Sequence, residues 1–178
     1  MALRKTIEGA RLLFRNFSGR EGQYNREGDR NFAVVIEDKA ILKSMEEEGW
    51  NVKYLNPRDD EEEPTAYLQV SVNYGGKFPP KIVMITERLG KRIRTDLDES
   101  SVESLDWVDI SSADMTLNPY EWSVQGKSGI KAYLKSLFVV INLDELEAKY
   151  AEVPYQDELE GSEDLHLARL PEEDGDAA

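Results

Sequence analysis

The sequence predicts an all-β fold, a barrel or a sandwich, from the pattern of its apolar segments. Six or seven short segments alternate apolar with polar residues and are bounded by Gly, Pro, Asn and Asp, which is typical of strands and turns. A single segment has helical spacing, so no succession of strands and long helices is present to build a parallel sheet. With 178 residues and 40% hydrophobic residues, the chain is long enough for one domain with a sizeable core.

The first predicted strand, residues 7–17, has one face made of Ala10, Leu12 and Phe14. Its other face combines Arg11 and Arg15 with Leu13 and Phe17. The polar stretch 18–30 that follows holds three glycines and is longer than an ordinary hairpin loop. It is therefore a candidate for a functional loop that closes over a nucleic-acid backbone, the alternative being a mobile solvated loop.

A short helix is predicted from Asp38, a suitable N-cap, to Glu48, with Gly49 as its C-terminal stop. Ile41, Leu42 and Met45 are expected to form its buried stripe. The strand that follows opens with Trp50, for which a core position is favoured because large rings dominate cores.

Residues 66–74 give the clearest strand pattern, with Ala66, Leu68, Val70 and Val72 predicted to face the core. Further along, Gly90 and the sequence KRIR predict a turn rich in positive charge. Residues 96–109 predict a short helix or an irregular segment, in which Trp107 is expected to be one of the anchors.

Residues 118–141 predict a β-hairpin, in which Gly126 and Gly129 bracket the polar pair between them. On the returning strand, Ile130, Ala132 and Leu134 alternate with two lysines and a tyrosine. Cations at alternate positions can follow phosphates, while a ring between them offers a plane for an unpaired base. The alternative is a half-exposed strand whose lysines only provide solubility.

Net charge is uneven along the chain, although its total is −14. Residues 152–178 hold ten acids against one arginine, a net of −9, whereas residues 4–30 carry seven Lys or Arg against four acids. Residues 77–94 carry six basic residues against one acid. The chain is thus predicted to comprise a domain over residues 1–151 and a disordered acidic tail over residues 152–178, with basic clusters that suit a nucleic-acid partner.

Enzyme chemistry is not predicted. The chain has no cysteine and one histidine, His166, in the acidic tail, so cysteine nucleophiles and Cys or His metal sites are not expected. No phosphate-binding glycine motif occurs, and we expect no catalytic residue, no metal and no cofactor. No apolar run is long enough to span a bilayer, so a cytoplasmic protein without a membrane partner is expected.

The element count fits a five-stranded Greek-key barrel with additional strands and one short helix, the OB-fold, which binds single strands on a curved face flanked by loops. The order of elements, ending in NPYEW and GKSGIKAYLKSLFVVI before an acidic tail, resembles the OB-fold single-stranded DNA-binding proteins of tailed bacteriophages. The resemblance implies a non-enzymatic protein of the host cytoplasm that coats single strands during replication and recombination. It also implies a tail that docks replication proteins, although the family often ends in an aromatic residue and this chain ends in Asp176, Ala177 and Ala178.

The predicted DNA-binding residues are cations and aromatic rings of the basic clusters, the long loop and the hairpin. They are Arg11, Arg15, Arg20, Tyr24, Arg26, Arg30, Lys53, Tyr67, Lys77, Phe78, Lys91, Arg92, Arg94, Tyr120, Trp122, Lys127, Lys131, Tyr133 and Lys135. The expected partner is single-stranded DNA. The sequence is also compatible with a homo-oligomer. The alternative function is an acidic interaction protein, a DNA mimic or a host-protein binder, whose carboxylates would be the working surface.

Overall fold

A computed structural model of the chain describes residues 3–57, 63–88, 90–142, 153, 154 and 156. It confirms the all-β prediction, with nine strands, a ten-residue helix α1 and a short 3₁₀ helix η1 in that part of the chain. The elements are β1 (Lys5–Ala10), β2 (Leu12–Asn16), β3 (Arg30–Val35), α1 (Lys39–Glu48), β4 (Val52–Leu55), β5 (Thr65–Val72), β6 (Lys81–Arg88), β7 (Lys91–Leu97), η1 (Val102–Asp106), β8 (Ile110–Val124) and β9 (Lys127–Ile141). The predicted acidic tail falls almost wholly outside the described residues.

The compact unit formed by residues 1–87 and 92–142 contains a ring of strand pairs. β1 pairs with β8 and β2 with β3, and the ladder runs β1, β8, β9, β5, β3, β2. Because only Arg11 separates β1 from β2, the two ends of this ladder are halves of one strand and the ring returns to its start. The β5–β9 pair is parallel and the other pairs of the ring are antiparallel, which is the strand order of the predicted OB-fold.

Three further strands extend this ring. β4 pairs with β5, while β6 pairs with both β9 and β7. The sequence KRIR was predicted as a turn, and this was wrong, because Lys91, Arg92 and Arg94 lie within β7 and are exposed there. Of the described residues directly before β7, Gly90 has a φ of 76° and occupies a turn conformation. A second unit comprises residues 88–91 and 143–178, most of which lie outside the described part of the chain.

The first strand is interrupted by two register shifts, one between Ile7 and Ala10 and one between Leu13 and Asn16. Each shift inserts an extra residue and exchanges the faces of the strand beyond it. Phe17 is consequently fully buried and stacks on Phe32 with ring centroids 5.2 Å apart. Phe14 is 64% exposed with a φ of 50°. The prediction that grouped Phe14 with Ala10 and Leu12 on one face, and Phe17 with the arginines on the other, was therefore wrong.

The helix and its surroundings agree with the prediction. Asp38 caps α1 by accepting hydrogen bonds from the backbone N–H groups of residues 40 and 41, and Gly49 ends it with a φ of 95°. Met45 is fully buried and Trp50 is 5% exposed, which confirms both as core residues. No helix in the described part of the chain is long and apolar enough to cross a membrane.

The hairpin β8–β9 is present, but its turn is shorter than predicted. Gln125 and Gly126, with φ values of 52° and 82°, form a two-residue connection between Val124 and Lys127. Gly129 lies within β9 instead of in the turn. A Cβ atom there would meet Asn51 Oδ1 at 2.6 Å and the Trp122 ring at 2.9 Å, so the glycine permits close packing of that ring.

The burial of β9 and β5 follows the predicted alternation. Ile130, Ala132 and Leu134 are buried while Lys131 and Lys135 are exposed, and the β5 pattern is buried at every second residue. The faces of β9 are thereby fixed, and the predicted cationic face points away from the core.

Candidate nucleic-acid interface

A groove with a volume of 460 Å³ lies between the loop 18–30 and the outward faces of β3, β5 and β9. Most of its lining residues are polar. Those at positions predicted to bind DNA are basic or aromatic. The predicted residues that line it are Tyr24, Arg26, Arg30, Lys131 and Tyr133. The structure thus brings together residues from the loop and from the hairpin, which are about a hundred positions apart in the sequence.

The floor of the groove is a row of side chains that runs across neighbouring strands. Asn31 of β3 is opposite Ser71 of β5, Ser71 is opposite Tyr133 of β9, and Tyr133 is opposite Asn118 of β8. Opposite residues in paired strands project from the same face of the sheet. The row therefore crosses four strands from Asn31 to Asn118, and Tyr133 is its aromatic member.

Next to this row, the paired strands β8 and β9 carry a cluster of Tyr133, Tyr120 and Lys131. The two rings are 5.7 Å apart in an edge-to-face arrangement, and Lys131 Nζ lies 5.3 Å from the centroid of Tyr133. Tyr120 is 55% exposed. The cluster offers an aromatic surface with a cation beside it, which is the combination that a nucleotide with an unpaired base can use.

The wall of the groove is the loop 18–30, which is organised by side-chain amides. Asn25 Nδ2 donates to the carbonyl oxygens of residues 20, 26 and 29 at 2.8–3.1 Å, and Asn25 Oδ1 accepts from Asn31. Asn16 binds both backbone groups of Arg20. These hydrogen bonds hold the loop against the start of β3 and give it a defined conformation.

Each predicted arginine of the loop has a carboxylate partner. Arg26 pairs with Asp29 at 3.3 Å, Arg30 with Glu99 at 3.3 Å, and Arg20 with Asp106 at 3.9 Å. These pairs differ in exposure, since the side chain of Arg26 is 91% exposed and that of Arg30 only 18%. A phosphate that binds one of these guanidinium groups must compete with a carboxylate that is already there.

Arg30 is the most constrained of these cations. Its guanidinium carbon lies 5.5 Å from the centroid of the Tyr74 ring, and its Nε is buried without a hydrogen-bond partner. Burial raises the pKa of Tyr74 to about 12, so the phenol stays neutral beside the cation. Arg30 is thus held in a fixed position at the groove by a ring on one side and Glu99 on the other.

The lysines of β9 differ from the loop arginines. Within the described residues, Lys127, Lys131 and Lys135 form no ion pair, and all three are exposed. Lys135 is the extra residue of a register shift, because Leu134 pairs with Leu117 and Ser136 with Thr116. These ammonium groups are available to phosphates without an exchange of partners.

A second aromatic cluster lies on the outward face at the other end of β5. Tyr67 and Phe14 have ring centroids 5.9 Å apart, and Lys53 of β4 is opposite Tyr67. Tyr67 and Ser71 share the outward face of β5, and four residues of strand separate them by about 13 Å. Phe14 was not among the predicted residues, because the register shift between Leu13 and Asn16 that turns it outward contains no glycine to mark it.

The remaining predicted residues are outside the groove. Arg15 Nη1 donates to the carbonyl oxygens of Leu105 and Val108 at 2.8 and 2.7 Å, so its guanidinium is engaged by the backbone. Arg94 lies 5.9 Å from the ring of Phe138, and Lys77 lies 5.8 Å from the ring of Phe78. Of the others, Arg11, Lys91, Arg92 and Lys127 are exposed, and Trp122 is partly buried.

Several groove residues are uncharged and were not predicted as contacts. Asn25, Asn31, Gln69, Ser71 and Asn73 all line the groove. Gln69, Ser71 and Asn73 alternate with the residues of 66–74 that were predicted to face the core, but an amide or a hydroxyl gives no sequence signal comparable with a cation or a ring. Within the described residues, no group of three or more His, Asp or Glu side chains is arranged to hold a metal ion.

The fold and the groove can now be compared with known proteins. Residues 2–167 match the family described as "Putative phage ssDNA-binding domain". No curated protein sequence matches the chain at a significant level.

Two solved structures with a similar fold come from bacteriophage Enc34. The single-stranded DNA-binding protein in complex with ssDNA has a TM-score of 0.53 and 11% identity, over 79% of this chain and 88% of that one. The C-terminal truncation of the same protein has a TM-score of 0.52 and 10% identity, over 79% and 87%. At this identity the likeness bears on the fold, while the family match spans most of the sequence. The chain therefore belongs to the phage ssDNA-binding domain family.

Proposed function

We propose that this chain binds single-stranded DNA without sequence preference in the groove between the loop 18–30 and the outward face of β5 and β9. It acts on strands exposed during phage DNA replication and recombination in the host cytoplasm. Membership of the phage ssDNA-binding domain family supports this function.

The single observation that carries the proposal is the position of Tyr133 and Lys131 beside Arg30 at one groove. Stacking on a ring needs an unpaired base, and cations beside the ring can follow the backbone of the same strand. Only a single strand presents both groups to the same surface. A duplex keeps its bases stacked on each other, so it would gain the phosphate contacts alone.

The lack of sequence preference follows from the groups that are present. Every base has a face that can stack on Tyr133 or Tyr120, and phosphates are the same at every position. The amides of Asn31, Gln69 and Asn73 add hydrogen bonds at the floor of the groove. Such contacts tune affinity, whereas the rings and cations supply most of it.

Residues 152–178 are proposed to form a separate acidic segment that docks replication proteins. The support is its net charge of −9, which is opposite in sign to the basic clusters of the preceding domain. No catalytic step is assigned to the protein, since binding alone accounts for the groove.

The test is a fluorescence-anisotropy titration of the full chain with one labelled oligonucleotide, presented single-stranded and as a duplex of equal length. We expect much tighter binding to the single strand and a linear fall of log affinity with log salt, by about 0.7 per neutralised phosphate. Equal affinity for the duplex would overturn the proposal. A flat response to salt would favour the acidic interaction protein instead, because its carboxylates would not bind phosphates.

A further inference from the structure

Trp107 was predicted to be a core anchor, but it is 69% exposed and lies directly after η1. The neighbouring Val102 and Leu105 are fully buried, so they anchor the segment without it. An exposed indole of this size leaves a large apolar area in water, and such exposure on a monomer often marks a contact surface.

The indole is already associated with a cation of the loop. The guanidinium carbon of Arg20 lies 4.9 Å from the centroid of the Trp107 ring, and the side chain of Arg20 is itself 57% exposed. A ring and an accessible guanidinium are thus presented side by side. This pair repeats, at a second place, the combination of Tyr133 and Lys131 in the groove.

The position of this pair is fixed by hydrogen bonds that do not involve the indole. Asp106, whose side chain is 1% exposed, accepts from the backbone N–H groups of Phe17 at 2.7 Å and Ser18 at 3.1 Å. Arg15 donates to the carbonyls of residues 105 and 108. The start of the loop and the end of η1 therefore form one hydrogen-bonded unit that carries Trp107 on its surface.

The same loop connects this unit to the groove. The carbonyl of Arg20 accepts from Asn25, and Asn25 lines the groove. Glu99, which lies three residues before the start of η1, also lines the groove and forms an ion pair with Arg30. The Trp107 pair is thus connected through hydrogen bonds of the loop 18–30 to residues that line the groove.

From these contacts we propose that Trp107 and Arg20 form a second stacking site, which takes an unpaired base and the adjoining phosphate of the strand that occupies the groove. This inference rests on the proposed function and extends it to a surface outside the groove. The strand would cross the loop, with Arg20 exchanging Asp106, 3.9 Å away, for a phosphate.

The inference predicts a dependence on DNA length. Site sizes of OB-folds range from about 4 to 16 nucleotides, so the test compares an oligothymidine of about 4 residues, expected to occupy the groove alone, with one of about 16, expected to reach Trp107. Trp107→Ala should weaken binding of the long oligothymidine roughly tenfold and leave the short one unchanged. Because the indole is exposed, the melting temperature should stay close to that of the wild type.

Tryptophan fluorescence gives a second readout that an indirect structural effect would not produce. Trp50 is 5% exposed and Trp122 is partly buried against Gly129, so Trp107 is the most accessible indole. Long oligothymidine should quench the emission of the wild type and of the control variant Trp122→Phe. The quench should be lost in Trp107→Phe, which retains a ring and most of the affinity.

Three results would overturn the second site: quenching that persists in Trp107→Phe, wild-type affinity of Trp107→Ala for both lengths, or an equal loss for both. If the wild type itself binds neither oligothymidine, the proposed function has failed and this inference falls with it. If the wild type binds both oligothymidines and Trp107→Ala binds both with the affinities of the wild type, only the second site has failed and the proposed function stands.

Discussion

The cations of the loop 18–30 and those of the strand β9 are in different states. The three loop arginines Arg20, Arg26 and Arg30 are each paired with a carboxylate, whereas Lys131 and Lys135 of β9 form no ion pair within the described residues. A guanidinium must exchange a carboxylate for a phosphate, while a free ammonium group only displaces water and counterions. The difference teaches that counting cations overstates what the loop contributes to binding.

The two regions also differ in what surrounds each cation. Lys131 lies over the ring of Tyr133, which is available to a base, whereas Arg30 lies over Tyr74, whose hydroxyl is buried without a partner. We therefore propose that the first ring contacts a base and that the second only orients its cation. Accordingly, we expect the side chains of β9 to contribute most of the binding free energy, and the loop to define the shape of the groove.

The largest effect is expected from Tyr133→Ala. Losing one stacking ring should weaken binding of single strands by about 1–3 kcal/mol and leave duplex binding almost unchanged, because a duplex offers no unpaired base. Anisotropy titrations with both forms measure it. Tyr54→Ala, which removes a half-exposed ring of β4 outside the groove, is the matched control and should bind as the wild type does. Unchanged single-strand affinity in Tyr133→Ala would remove the ring from the site.

A smaller effect separates Lys131→Ala from Arg26→Ala. Lys131→Ala should reduce the salt slope of single-strand binding by about 0.7, the value for one phosphate contact. Arg26→Ala should change the slope by less. In the wild type, Asp29 binds a cation from solution when Arg26 moves from Asp29 to a phosphate, and this uptake offsets the counterion that the phosphate releases. Lys43→Ala, an exposed lysine of α1, is the control for net charge. Equal slope changes for Lys131→Ala and Arg26→Ala would show that the carboxylate pairs do not matter.

The smallest effect is a gain in affinity from Glu99→Gln. The amide removes a charge from the groove and frees Arg30 for a phosphate, and since the pair is partly exposed the gain should be about 1 kcal/mol or less. Titration at low salt is the most sensitive measurement. Glu103→Gln makes the same charge change on η1, outside the groove lining, and should have less effect. Weaker binding of Glu99→Gln would mean that Glu99 positions Arg30 for DNA and does not compete with it.

Much of the fold could be predicted because its determinants are local. The alternation in β5 and β9 and the capping residues Asp38 and Gly49 are each legible in a few neighbouring positions. β-Bulges are the exception, because one extra residue leaves the composition of a strand almost unchanged but moves the side chains beyond it to the opposite face of the sheet. This is why Phe14 and Phe17 were assigned to the wrong sides.

The site was predictable in part, for a related reason. Cations and rings are recognised by type, so the loop and hairpin residues of the groove were found. Their partners could not be found, because Glu99 and Asp106 are 69 and about 86 positions away from the arginines they pair with. Trp107 was expected to be an anchor because a large ring is more often a core residue than an exposed one, but it is 69% exposed.

The most direct test of the account is ultraviolet crosslinking of an oligothymidine to the full chain, followed by mass-spectrometric mapping of the modified residues. The account predicts crosslinks at Tyr133 and Tyr120 and in the loop 18–30, all of which disappear when unlabelled single strands compete. Crosslinks confined to the cavity between β1 and the start of α1, which Ile7 and Ile41 line, would contradict it.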